Sequence, residues 1–139
     1  MEEFKIAEEV AITELKTFIE YHLDDTIDES QVARDYKEVL KAMQRGLLDI
    51  TDMDAPVLTL KKPITLDNGS VDQTKIVFLT RIPKSKLASL SKGFDIMKNP
   101  IGFANLLTAY LIQQPSVAML DKYSKVDTKV IDQLTGLFQ

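Results

Sequence analysis

Apolar residues recur along the first part of this chain at three- and four-residue steps. Phe4, Ala7, Val10, Ala11, Leu15, Phe18, Ile19 and His22 form one stripe, and Glu8, Glu9, Glu14, Lys16 and Glu20 fill the other faces. This spacing predicts an amphipathic helix over residues 3–23, with Glu2 and Glu3 where the helix dipole favours acid. Residues 24–28 are a polar break. A second stripe, Val32, Ala33, Tyr36, Val39, Leu40, Met43 and Leu47, predicts one helix from Asp28 or Ser30 to a stop at Gly46. Asp28 followed by Gln31 fits a capping box. The short link predicts an antiparallel helical hairpin.

The period then changes. After a linker over 47–56, Val57, Thr59 and Lys61 alternate with Leu58, Leu60 and Lys62, and Ile64 and Leu66 continue the apolar set. That pattern is a half-buried strand, with Pro63 at an edge or where regular pairing ends. Asp67-Asn68-Gly69-Ser70 is a turn signal, and residues 75–82 read as the second strand of a hairpin. Two strands are marginal alone, so a third is expected from residues 49–53 or from a second copy of the protein. Beyond Pro83 the helical period returns. It predicts a short helix over 85–91 closed by Gly93, and a helix over 101–113 opened by Asn99-Pro100 and ended by Pro115. A helical turn over 116–123 follows. A last helix, capped by Asp127, carries Val130, Ile131, Leu134 and Phe138. The fold class is therefore α+β and mostly α-helical: an N-terminal helical hairpin, one central β-hairpin and C-terminal helices.

Composition subtracts functions. The 139 residues include no cysteine and one histidine, which excludes disulfides, cysteine nucleophiles and Cys/His zinc sites. Five isolated glycines leave no Walker or dinucleotide loop. His22 reads as a packed histidine. The acid clusters Asp24, Asp25, Asp28, Glu29 and Asp49, Asp52, Asp54 read as caps and turns, because no EF-hand glycine or closing glutamate falls in place. The expectation is a protein that is no enzyme and takes no cofactor or metal. The best apolar run, 101–112, carries Asn105 and Thr108 and is too short to span a membrane. The acidic start lacks a secretory pattern. A cytosolic protein is expected.

Charge adds a division. The formal net charge is −4, but residues 1–56 sum to about −9 and the remainder to about +5. The sequence thus reads as an acidic helical hairpin extension, 1–56, on an α+β module, 57–139, and deleting the extension is expected to leave a folded, less soluble remainder. Arg81, Lys84, Lys86, Lys92 and Lys98 form the basic cluster of the module. Either the two surfaces are simply solvated, or the acidic hairpin docks on the basic one, where charge would set partner choice and association rate. Nucleic acid is an unlikely partner: Phe94 and Phe103 are the rings near the cluster, and the chain is acidic overall.

Two stretches carry a resemblance. The first is Leu58-Thr59-Leu60-Lys61-Lys62-Pro63-Ile64 with Ile76-Val77-Phe78-Leu79-Thr80-Arg81-Ile82-Pro83 and Leu87; the second is Pro115-Ser116-Val117, Leu120-Asp121, Ser124, Asp127 and Val130-Ile131-Asp132-Gln133-Leu134 to Phe138. Over residues 57–138 the chain resembles the tail assembly chaperone family of bacteriophages with Mu-like and related contractile tails. The resemblance implies a non-catalytic protein of the host bacterial cytoplasm. It would bind the long helical tape-measure protein and keep it soluble until the tail tube forms around it. Masking apolar helical stripes calls for groove-type recognition. The candidate contacts are Leu87, Leu90, Leu106, Leu107, Tyr110 and Leu111, which the plainer reading makes core residues. The β-hairpin offers a route to a homo-oligomer. The alternatives are a structural or adaptor protein of the phage tail and a small nucleic-acid-binding regulator.

Overall fold

The computed structural model describes residue 4 and residues 6–139. The expected helix start at residue 3, with Glu2 and Glu3, lies outside them. The fold is α+β and mostly helical: α1 (Glu8–Leu23), α2 (Glu29–Asp35), α3 (Lys37–Gln44), β1 (Leu48–Asp49), β2 (Val57–Thr65), β3 (Val71–Val77), α4 (Lys84–Ser91), α5 (Pro100–Leu111), a 3-10 segment (Val117–Lys122) and α6 (Lys125–Phe138).

Helix α1 buries Ala11, Leu15, Phe18 and Ile19, which lie at helical spacing, while Val10 of the same stripe is exposed. The capping box at Asp28 forms, with the Asp28 side chain accepting from Gln31 N and the Gln31 side chain from Asp28 N. The single helix expected after it is two. Tyr36 leaves helical geometry at φ −121, ψ 33, and its side chain offers no cap to α3. The orphan donors of α3 are met from the far end of the chain: Gln133 Oε1 of α6 accepts from Glu38 N at 2.9 Å and Val39 N at 3.2 Å. A stripe read from sequence runs straight through such a break, because the partner that allows it is nearly a hundred residues away. Gly46 takes the left-handed conformation, φ 77, and ends α3 as expected.

The sheet is antiparallel with order β1-β2-β3. Its third strand comes from the same chain but is Leu48–Asp49, which shares only Asp49 with the expected 49–53. Leu58 pairs with Ile76, but beyond Thr59 the register shifts and pairing resumes only at Ile64 opposite Gln73. Pro63, which has no N–H to give, sits in this bulge. The bulge turns Lys61 N and Lys62 N out of the ladder. Both donate to the buried Asp127 carboxylate, at 2.9 and 3.1 Å, and Ser124 Oγ donates to it at 3.0 Å. Sequence reading made Asp127 the cap of α6. The cap is Ser124, which accepts from Asp127 N at 3.2 Å, and Asp127 ties α6 to β2. Strand β3 begins earlier than expected and ends at Val77. Beyond it the backbone is drawn aside, since Leu79 N donates to Leu111 O at 2.8 Å.

One buried cluster joins these elements. Leu15, Phe18, Val39 and Met43 share it with Leu58, Ile76, Phe78, Leu111, Ile131, Leu134 and Phe138. Helix α6 packs on α1, α3, α5 and β2. The division drawn at residue 56 from charge therefore falls inside a single core. A remainder without residues 1–56 would expose the apolar faces of α6 and the sheet, so a folded 57–139 fragment is no longer the expectation. No described helix is long and apolar enough to cross a membrane.

Candidate functional site

Helix α4 contains no buried residue, and its principal packing partner is α5. Pro83 leads the chain into it, and Gly93 at φ 73 turns the chain out. The link to α5 is held locally: Lys98 N donates to Asp95 Oδ1 at 3.2 Å, and Asn99 N to Asp95 O at 3.0 Å. Asn99 then caps α5, accepting from Gly102 N at 2.9 Å, with Pro100 at the first helical position. Any Cβ at residue 102 would collide with the folded-back Asn99 side chain, so glycine is what lets the cap close.

Helix α5 has two unlike halves. Its second half, with Leu107, Thr108, Ala109 and Leu111, is buried. Its first half faces outward with the α4–α5 link. Met97 is 93% exposed and Ile101 75%; Ile96 beside Met97 and Leu87 of α4 are exposed as well. Phe94 and Phe103 meet at 5.8 Å between ring centroids and are half-buried. Solitary exposed apolar residues are ordinary, but a concentration of large ones in a single segment marks a contact surface.

The basic cluster frames this segment. Arg81, Lys84, Lys86, Lys92 and Lys98 are all exposed. Lys86 Nζ lies 5.4 Å from the Tyr110 ring centroid, a cation–π distance. Lys98 faces Asp95 at 4.0 Å, an exposed pair worth little. Residues 81–114 hold five bases against the single acid Asp95.

The candidate contacts divide. Leu87 is exposed, and Leu90, Leu106 and Tyr110 are half-buried; Leu107 and Leu111 are buried. Sequence reading missed Ile96, Met97 and Ile101. The signal for Ile96 and Met97 was present: an apolar pair between Gly93 and Asn99-Pro100, in a stretch too short for a helix of its own.

The other sequence candidates are structural. His22 is half-buried among Phe18, Tyr21 and Phe138, with its Nε2 2.7 Å from Met53 O. Burial holds its pKa below the usual histidine range, against the opposing pull of the Met53 carbonyl and Asp54. The neutral ring therefore donates Nε2–H to Met53 O and latches the loop after β1 to α1. Tyr21 Oη adds a bond to Asp54 Oδ1 at 2.8 Å. Asp25, Asp49 and Asp52 accept from nearby backbone N–H groups in local turns. Among the described residues no cluster of three or more histidine or acidic side chains is disposed to hold a metal ion.

What the fold defines, then, is a helix-rich α+β protein whose most distinctive surface is apolar and framed by positive charge. Comparison with known proteins finds no matching family model, curated protein or solved structure.

Proposed function

We propose that this protein is a phage or prophage tail assembly chaperone. In this reading it works without catalysis in the host bacterial cytoplasm, where it binds the tape-measure protein and keeps it soluble while the tail is built. The observation that carries the reading is the α4–α5 segment, with Leu87, Ile96, Met97 and Ile101 exposed and five exposed basic side chains in the same stretch of chain. An amphipathic helix offers a stripe of apolar side chains that needs such a surface to leave water. Met97 suits a succession of non-identical helical segments, because an unbranched thioether repacks easily. The bases favour segments with acidic flanks and speed their capture. The motif residues Arg81-Ile82-Pro83 also form the passage from the sheet into α4, so the resemblance and the surface fall on the same part of the chain.

Co-expression with the tape-measure protein tests this. The expected result is a soluble complex that co-purifies. A tape-measure protein that stays insoluble and unbound would overturn the reading. Recovery of the chain in purified virions would replace it with a structural or adaptor role.

A further inference from the structure

A second surface is apolar, concave and of the opposite charge. Between α1 and the segment around β1 lies a groove of about 590 Å³, within the size range of binding clefts. Phe18, Met43 and Leu48 form its floor; Glu14 and Asp49 are on its rim, and among the described residues no lysine or arginine lines it. The elements beside it are acidic in sequence: α1 holds four glutamates to one lysine, and the loop after β1, whose Met53 lines the groove, holds Asp52 and Asp54. Asp49 is held as a carboxylate by the Thr51 side chain and N–H, which keep its pKa below the usual range.

The groove and the α4–α5 surface share no residue. The acidic hairpin does not spend its charge on its own basic surface, for α1 packs on α2, α3 and α6, and α4 principally on α5. We propose that copies of this chain associate head to tail, the α4–α5 surface of one seated in the α1–β1 groove of the next.

Shape and charge favour a second copy as the occupant. Met97 and Ile101 project from the surface, and the groove is a cavity with an apolar floor. The charges are complementary, five bases against the acidic rim, which steers association and fixes its direction. A symmetric pairing of two α4–α5 surfaces would instead set five bases against five. A projecting patch complementary to a pocket elsewhere on the same molecule makes a heterologous contact, which extends rather than closes. Under the function proposed above, such chains would keep the apolar surface covered until a client displaces them. That consequence rests on the proposed function; the self-association does not.

The test uses the protein alone, by sedimentation velocity over a concentration series at low and high salt. Wild type should form species that grow with concentration and shrink with salt. Met97→Glu/Ile101→Glu, which removes the knob, and Glu14→Lys/Asp49→Lys, which reverses the rim, should each be monomeric. Mixed, they should form a 1:1 dimer that does not grow, since one retains the groove and the other the surface. The milder Glu14→Gln/Asp49→Asn should weaken association and flatten its salt dependence, with an unchanged far-UV circular dichroism spectrum. A wild type that stays monomeric, a closed dimer that either variant also forms, or variants that fail to pair would each overturn the proposal.

Discussion

Two regions of this molecule follow opposite rules. In the first, helices α1, α3 and α6 and the sheet share one buried cluster, and polar groups reach across it to complete one another. Gln133 caps α3, and Asp127 collects the N–H groups freed by the bulge in β2. In the second, α4 buries nothing, the start of α5 faces water, and the hydrogen bonds that shape the link join near neighbours. The first region holds the fold together and the second is carried by it. Helix α5 spans both, so one regular element has a core half and a surface half. The acid-rich and base-rich stretches of the chain do not match this division. Charge marks what each stretch shows to solvent, whereas the core is set by which apolar faces meet.

The comparison can be broken most severely by deletion. Removing residues 1–56 takes Ala11, Leu15, Phe18, Ile19, Val39 and Met43 from the core. The remaining fragment should be unfolded by circular dichroism and should lack a cooperative thermal transition. A fragment with native-like helicity would restore the division at residue 56.

Next come two leucines that sequence reading placed in one group. Leu111 is fully buried and Leu87 is exposed. Leu111→Ala should cost about 2–5 kcal/mol in denaturant unfolding, as for a large-to-small change in a packed core. Leu87→Ala should stay within about 0.5 kcal/mol. Equal costs would erase the boundary drawn through α5.

Asp127→Ala strips the acceptor from Lys61 N, Lys62 N and Ser124 Oγ. These bonds are part-buried, so their loss should cost about 1–3 kcal/mol. Asp127→Asn should lose less, because its one carbonyl oxygen still accepts.

A smaller effect is expected from pH. Burial lowers the folded pKa of His22, so the unfolded chain takes up a proton first on acidification. Stability from the neutral ring is present above about 6.5, the ordinary histidine value, and is lost as pH falls through the lower folded value. Acidification should lower the thermal unfolding midpoint, because the charged ring is penalised by burial beside Phe18 and Phe138. His22→Phe should remove that pH dependence.

Much of the fold was legible in the sequence because its signals are local. The helical stripe of α1, the capping box at Asp28, the stop at Gly46 and the turn at Asn68-Gly69 are each written in a few adjacent residues. The break at Tyr36 and the bulge at Pro63 were only half legible, since their completion depends on Gln133 and Asp127 far along the chain. The surface was legible as charge, with its five bases, but not as shape. Periodicity ranks Leu111 and Leu87 alike, and only the packing of α5 on α6 and of α4 principally on α5 separates them. Met97 and Ile101 lie outside any stripe, so periodicity does not mark them.

The central claim is that the second region binds and does not fold. It is tested most directly by carrying Met97→Glu/Ile101→Glu through both thermal unfolding and co-expression with the tape-measure protein. At a protein concentration low enough to keep wild type monomeric, the account predicts an unfolding midpoint matching wild type, with stability within about 0.5 kcal/mol, and loss of the soluble complex. A variant that holds the client as wild type does, or one whose unfolding midpoint collapses, would contradict it.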